Sequence, residues 1–351
     1  MYIILAIIAF GVLIVTHELG HFLAAKACGV KVNEFSMGMG PKLLQKQGKE
    51  TLYSLRALPI GGYCAMEGED EETGDPRSFT SKPPWQKVLI LCAGAAMNFF
   101  LGFLLILCIV PNMYFQEPVI SGFLENCPYE GEEALMVGDR IYSVDGHRTW
   151  FRSDLVEYLS RREGSHDLVL IRDGRRIALT DFDMHMVEYP TEDGETILKY
   201  GLLFAPRDTG FFADLRYSWY EALSFVRLIW RSLGDLVTGA VGVKELSGVV
   251  GVVDYTNTVT ATAKSTQEAL FYFAYIFALI AVNLAVMNML PLPALDGGRV
   301  FFVAVTGLIE RISHRHLNPK YEGYVHTAGF VLLMGLMVLV LFNDVMRIIN
   351  R

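Results

Sequence analysis

The sequence predicts a polytopic α-helical membrane protein with four transmembrane helices, a membrane-associated β-hairpin and one inserted extracytoplasmic domain. First, 52% of the 351 residues are hydrophobic and only 19% are charged, which is too apolar for an ordinary soluble domain. Second, four long stretches contain no Asp, Glu, Lys or Arg, and each could cross about 30 Å of hydrocarbon as a helix. They are residues 1–16, continuing to 25 if a His-Glu-His group is allowed, then 88–116, 269–295 and 323–343.

The positions of Lys and Arg orient these spans, because short cytoplasmic loops are enriched in basic residues. No basic residue precedes the first apolar run and no small-residue cleavage site precedes His17, so we expect a retained span rather than a secretory signal. Because basic residues are concentrated between the first two spans, we expect this loop to be cytoplasmic. Both chain termini would then lie on the opposite side of the membrane. The basic residues of this loop are Lys26, Lys31, Lys42, Lys46, Lys49, Arg56, Arg77, Lys82 and Lys87.

The acidic residues are concentrated in the external domain. Residues 113–216 hold 20 acidic and 11 basic side chains, whereas the whole chain has a net charge of -8. This distribution argues against binding to nucleic acid, which requires a basic face. Cys127 is the one cysteine predicted in that domain, so no disulfide framework is expected there.

We divide the chain into four segments. Residues 1–112 contain the first two spans and, at 32–65, alternating segments with Gly and Pro that indicate strands and turns. Residues 113–210 form the external α/β or β-rich domain, 211–265 an amphipathic helix and linker, and 266–351 the last two spans. The amphipathic helix carries two Trp residues, which suits the outer membrane interface, but its periodicity equally suits packing against the external domain.

The first span contains the pattern His17-Glu18-Leu-Gly-His21. Residues four apart on a helix differ by about 40° in direction and by one turn in height, so both imidazoles can reach one metal ion. Nitrogen ligands favour Zn²⁺, and Glu18 on an adjoining face can act as a general base without being a ligand.

Placing an ionisable group at membrane depth costs about 2.5 to 3.5 kcal/mol of free energy. Three such groups therefore need a favourable interaction that offsets this cost. Metal binding would supply it, whereas interhelical hydrogen bonding is the alternative use of these side chains. A third metal ligand is also needed, and the apolar stretches offer Asp296 and His326. The residues alone do not decide whether Asp296 or His326 is the third ligand.

The chain resembles the site-2 protease family, in particular its bacterial branch of regulated intramembrane zinc metalloproteases with a single PDZ domain. The resemblance rests on six motifs that span nearly the whole chain in the family's order. They are HELGH at 17–21, FSMGMGPKL at 35–43, LPIGGYCAMEGE at 58–69, KVLILCAGAAMNF at 87–99, VKELSGVVGV at 243–252 and NMLPLPALDGGR at 288–299.

The resemblance implies that Asp296 joins His17 and His21 in holding one Zn²⁺ per chain. It also implies that Asn288 binds the substrate backbone or the developing oxyanion, a role that an amide donor can fill. Asn98 is expected beside it as a residue that shapes the site. Here the sequence departs from the family, which has Gly-Pro before this Asn where this chain reads Gly-Ala.

Residues 50–63 resemble the family's membrane-inserted β-hairpin. A helical substrate must unwind before hydrolysis, and an exposed strand could replace its lost hydrogen bonds by β-augmentation. The alternative is a surface hairpin without substrate contact. The residues expected to pair with substrate are Thr51, Leu52, Tyr53, Ser54, Leu55, Gly61 and Gly62.

The segment EEALMVGDRIYSVDGHRT at 132–149 resembles the GDxIxxVDG core of bacterial PDZ domains. Such a domain binds extended chain ends. It would admit substrates already trimmed on the extracytoplasmic side, or block large ones.

The resemblance thus implies a zinc endopeptidase of the bacterial plasma (inner) membrane, with its active site near the cytoplasmic side. It would cut single-span membrane proteins in or beside their transmembrane segments, such as anti-sigma factors or signal-peptide remnants. One alternative is a catalytically idle receptor that binds peptides through its PDZ domain. An ion or proton transporter is a weaker one, because the spans show no pair of similar halves.

Overall fold

The computed structural model describes most of the chain in two compact units. One unit comprises Met1–Ile109 with Glu221–Arg351, and the other comprises Val110–Tyr220. The motif at 243–252 lies almost wholly outside the described residues. The described residues are 2–69, 73–162, 164–190, 196–240, 263–313 and 320–349, with 242, 248, 251, 256, 258 and 259.

Four of the described helices are long and apolar enough to cross a membrane, which confirms the four predicted spans. The candidate stretches within them are Ile7–Ala27, Pro84–Asn112, Thr266–Asn288 and Gly323–Asp344. The protein is therefore a polytopic membrane protein. The helices are α1 Tyr2–Ala27, α2 Pro84–Ile109, α3 Arg152–Ser160, α4 Phe211–Thr238, α5 Thr266–Asn288, α6 Asp296–Ser313 and α7 Lys320–Ile349.

The third span ends earlier than predicted, at Asn288 instead of residue 295. Pro291 and Pro293 cannot donate helical hydrogen bonds, and the chain turns through short-range bonds such as Leu292 N to Leu290 O at 2.7 Å. Asp296 then begins α6, which has one apolar and one polar face. The predicted end of the third span at residue 295 was therefore wrong, because the prolines separate two helices.

The first two strands form a two-stranded sheet, β1 Val32–Gln47 and β2 Leu52–Met66. The hairpin is therefore larger than the predicted segment 50–63, which covers the turn and most of β2. Both strands fold back on themselves. Glu34 pairs with both Leu52 and Ala65, and Met37 pairs with both Leu55 and Gly62.

This double pairing determines which segment has an open edge, that is, a backbone edge free to pair with another strand. Residues 52–55 pair with 34–37 on one side and with 44–47 on the other, whereas 62–66 pair only with β1 among the described residues.

Side-chain hydrogen bonds also stabilise the centre of this sheet. Burial opposes ionisation of Glu34, but hydrogen bonds from Ser54 (2.7 Å) and Arg56 (2.9 Å) outweigh it and lower the pKa of Glu34 to about 2.

The base of the hairpin packs against α1 and α2. A buried cluster joins Ala25 of α1, Val32 and Phe35 of β1, and Ile90 of α2. Removing a Val or Phe side chain such as Val32 or Phe35 from water stabilises the fold by about 1.5 to 3 kcal/mol. The hairpin is thereby fixed beside the helix that carries the His-Glu-His group.

The second unit is a β-rich α/β domain. Its main sheet has the order β10-β3-β4-β6-β7, with β5 paired to β4, and β8 and β9 form a separate ribbon. The strands are β3 Gln116–Phe123, β4 Arg140–Val144, β5 His147–Arg148, β6 Ser165–Arg172, β7 Arg175–Asp183, β8 Val187–Pro190, β9 Thr196–Lys199 and β10 Leu202–Pro206.

Helix α3 closes one face of this sheet. The Asp154 carboxylate accepts the backbone N–H groups of Trp150 (2.7 Å) and Phe151 (3.1 Å), which satisfies donors at the start of the helix. Leu155 is fully buried in the core with Ile141 and Leu168. β10 is an edge strand of the main sheet.

Candidate metal centre

Three potential ligand atoms from two helices converge at one point. The Oδ2 atom of Asp296 lies 3.1 Å from His17 Nε2 and 3.3 Å from His21 Nε2. The two Nε2 atoms are 3.2 Å apart. A tetrahedral ion about 2.0 Å from each ligand would separate the ligands by about 3.3 Å, so the spacing fits Zn²⁺.

The chemistry of the three groups also fits a cation. Asp296 Oδ2 is buried and makes no hydrogen bond within the described structure, although both imidazoles are close. A buried carboxylate oxygen facing two nitrogen lone pairs is unfavourable unless a positive charge lies between them. His17, His21 and Asp296 form the group of potential metal ligands found among the described residues.

The tautomer of His21 is set by a backbone carbonyl. Its Nδ1 lies 2.9 Å from the Ile90 oxygen, which can only accept a hydrogen bond. The Nδ1 atom therefore carries the proton, and Nε2 keeps a lone pair for the metal.

Glycine allows the imidazoles to lie against α2. A Cβ atom added to Gly94 would be 2.4 Å from His21 Nε2 and 2.7 Å from His17 Cε1. The run of small residues at 93–96 permits close helix approach, and position 94 also provides the space that the two rings fill.

A second pair of glycines positions Asp296. A Cβ atom at Gly297 would be 2.3 Å from the Met289 carbonyl carbon, and one at Gly298 would be 2.1 Å from the Leu292 oxygen. The first turn of α6 thus packs directly on the proline-containing turn. Arg299 in the same turn forms an ion pair with Glu69, in the loop that follows β2.

Both predicted asparagines lie beside His17. Asn98 of α2 has its Nδ2 atom 3.4 Å from His17 Nδ1, and Asn288 at the end of α5 has its Nδ2 atom 3.5 Å from both ring nitrogens. The side chain of His326, the alternative ligand, lies outside the part of the chain that the structure describes.

The open strand edge borders the metal centre. Glu18 is half-buried, and a Cβ atom at Gly62 would lie 3.4 Å from its Cγ atom. A cavity of about 590 Å³ is lined by the two histidines, Glu18, Asp296 and residues 63–69. Burial raises the pKa of the Cys64 thiol to about 12, so this side chain is uncharged near neutral pH.

The predicted pairing residues divide into two groups. Gly62 lies at the start of the open segment beside Glu18, and Gly61 directly precedes it. Leu52, Tyr53, Ser54 and Leu55, in contrast, already have partners on both sides. The Thr51 hydroxyl donates to the Val32 oxygen at 2.8 Å. The prediction that residues 52–55 offer a free edge is therefore wrong. Residues 63–66, which directly follow the Gly-Gly pair, belong to the open edge and were not among the predicted pairing residues.

Comparisons with known proteins also indicate a zinc-binding site. A family model described as peptidase family M50 matches residues 5–336. The chain is 34% identical to a candidate zinc metalloprotease of Clostridium perfringens, over 98% of both chains. It is 35% identical to one of Clostridium acetobutylicum, over 99% of this chain and 98% of the relative. It is 29% identical to the regulator of sigma-W protease RasP of Bacillus subtilis, over 99% and 98% respectively.

The Gly94 contact yields a test. We expect Gly94→Ala to lower the zinc content of the purified chain, because the new Cβ would overlap the His21 ring, 2.4 Å from Nε2. The control is Gly335→Ala in α7, where nothing lies within 4 Å of the added atom. Metal analysis after gel filtration should show parental zinc in the control alone. Parental zinc in Gly94→Ala would contradict this geometry.

Proposed function

The chain belongs to peptidase family M50, the site-2 proteases, and from that premise we propose a catalytic site built by His17, His21, Asp296 and Glu18. The protein is a zinc metalloprotease of regulated intramembrane proteolysis. The proposed site rests on one observation: two Nε2 atoms and one carboxylate oxygen lie 3.1 to 3.3 Å from one another, with Glu18 nearby.

The side chains divide the chemistry between them. His17, His21 and Asp296 would hold Zn²⁺, which would act as a Lewis acid towards the scissile carbonyl and would lower the pKa of water to about 7. The Glu18 carboxylate takes a proton from the attacking water and delivers it to the leaving amide nitrogen. The Asn288 amide donates a hydrogen bond to the oxygen that gains negative charge.

The open edge at 62–66 would hold the substrate in an extended form. The bilayer supplies no hydrogen-bond partners to an unwound helix, so a paired strand is the natural support for its backbone. The support for this proposal is the position of Gly62 beside Glu18 and the cavity lined by 63–69.

We place the centre near the cytoplasmic face. His21 lies in the last two turns of α1, and the basic residues Lys26 and Lys31 follow it. Substrates would be single-span proteins of the bacterial plasma membrane, such as an anti-sigma factor, and the relative's name, regulator of sigma-W protease, fits a substrate of that class. The exposed Trp219 and Trp230 of α4 suit the outer interface.

We further propose that Val110–Tyr220 is a PDZ domain. The motif residue Asp139 is buried, accepts the Met136 N–H at 2.8 Å and pairs with Arg172 at 2.7 Å. A cavity of about 320 Å³ runs between α3 and the edge strand β10. An extended chain end could add to β10 while its side chains enter this groove.

The catalytic assignment is tested by comparing three variants in one cleavage assay. We expect Glu18→Gln to keep zinc but lose cleavage of a single-span substrate, since only the proton acceptor is removed. Asp296→Asn should lose both zinc and cleavage, while His326→Ala should retain both. Zinc content and cleavage are measured on the full chain in detergent. Zinc retained in Asp296→Asn and lost in His326→Ala would overturn the ligand set, and cleavage by Glu18→Gln would favour another mechanism.

Proline substitution tests the strand edge. Successive N–H groups of a strand face opposite sides, so Cys64 and Ala65 differ in which one points towards β1. One of Cys64→Pro and Ala65→Pro should keep zinc but lose cleavage, because proline removes only the N–H offered to substrate. The matched controls are Cys64→Ser and Ala65→Ser, which keep both N–H groups. If a proline variant that keeps zinc also cleaves at the parental rate, substrate does not pair there.

The PDZ groove is tested separately with a short peptide that has an apolar, free carboxyl end. Val156→Asp places a charge in the groove and should weaken binding at least about tenfold, since burying an unpaired charge is costly. Ser160→Asp, on the exposed side of the same helix, is the control. Fluorescence anisotropy of the labelled peptide and of its carboxamide measures binding. Equal binding by both variants would exclude this groove as the peptide site.

A further inference from the structure

The side chain of Asn98 is completely buried beside His17 and has an unpaired oxygen. Its Nδ2 atom lies 3.4 Å from His17 Nδ1, and its Oδ1 atom has no hydrogen-bond partner within the described structure. The two ends of an asparagine amide are distinguished by their hydrogen-bonding partners and not by shape. The orientation of this amide is therefore decided by the chemistry of His17.

The two orientations have opposite consequences for metal binding. If Nδ2 donates to His17 Nδ1, the ring proton must be on Nε2, where it would block ligation. If Oδ1 faces the ring, it accepts the Nδ1 proton, and Nε2 keeps the lone pair that a metal requires. The second orientation is the one compatible with the convergence of Nε2 on Asp296 at 3.1 Å.

The arrangement matches that of His21, whose Nδ1 faces the Ile90 carbonyl at 2.9 Å. Ile90, Gly94 and Asn98 are spaced four residues apart on α2 and are all buried. His17 and His21 have the same spacing on α1. The row on α2 thus supplies a hydrogen-bond acceptor, an open position and a second acceptor opposite the paired rings.

We propose that Asn98 is a positioning residue whose side-chain oxygen accepts the His17 Nδ1 proton and fixes the ring in its metal-binding tautomer. This role specifies how Asn98 shapes the site, and it leaves Asn288 as the amide donor. The inference rests on the proposed zinc ligation by His17, His21 and Asp296.

Two substitutions separate an acceptor from a donor. Asn98→Asp keeps the oxygen and loses the NH₂ group, whereas Asn98→Leu keeps the approximate volume and loses both. The full chain in detergent is loaded with zinc and titrated with a chelator at fixed pH. We expect the apparent dissociation constant for zinc to rise about 10- to 100-fold in Asn98→Leu, the usual effect of losing such a partner, and not to rise in Asn98→Asp.

The controls identify the cause of any loss. The metal-free forms of Asn98→Leu and the parent should unfold at the same temperature, and the variant's Co²⁺ complex should show an altered visible spectrum. Parental zinc affinity in Asn98→Leu, or equal loss in Asn98→Asp, would overturn the inference. If Asp296→Asn also keeps zinc, the proposed centre itself fails. If Asp296→Asn loses zinc while Asn98→Leu keeps it, only the role of Asn98 fails.

Discussion

The convergence of two imidazole nitrogens and one carboxylate oxygen inside an apolar helical bundle is the constraint on which the rest of the structure depends. Removing such groups from water into an apolar bundle costs free energy. A divalent cation bound between them offsets that cost. The helices around them accordingly carry features that serve this point. α2 presents a glycine against both rings, and the turn before α6 brings Asp296 to them.

The ligands come from distant parts of the chain, so helix ends matter as much as helix faces. His17 and His21 need only the regular spacing of one helix. Asp296 instead depends on the termination of α5 at Asn288 and on two prolines that start a new helix direction. Because Asn288 and Asp296 flank the same turn, one local feature places both an amide and a carboxylate at the centre.

The sequence predicts what is local and leaves open what depends on tertiary register. Hydropathy located all four candidate spans, and the spacing of His17 and His21 identified two of the three potential ligands that the structure brings together. Alternation also identified strands near residues 32–65. It could not show that residues 52–55 are enclosed and 62–66 open, since both segments have the composition of a strand and their partners lie elsewhere in the chain. The residues alone did not choose between Asp296 and His326, and the family resemblance was needed. The position of Asn98 against His17 likewise depends on how α1 and α2 pack.

The ion pair between Glu69 and Arg299 connects two parts of the centre that belong to different elements. Glu69 follows the open strand by three residues, and Arg299 follows Asp296 by the same number. This ion pair therefore links the loop after the open edge to the first turn of the helix that begins with Asp296. A ligand at the edge that displaced Glu69 would also remove a contact of that turn.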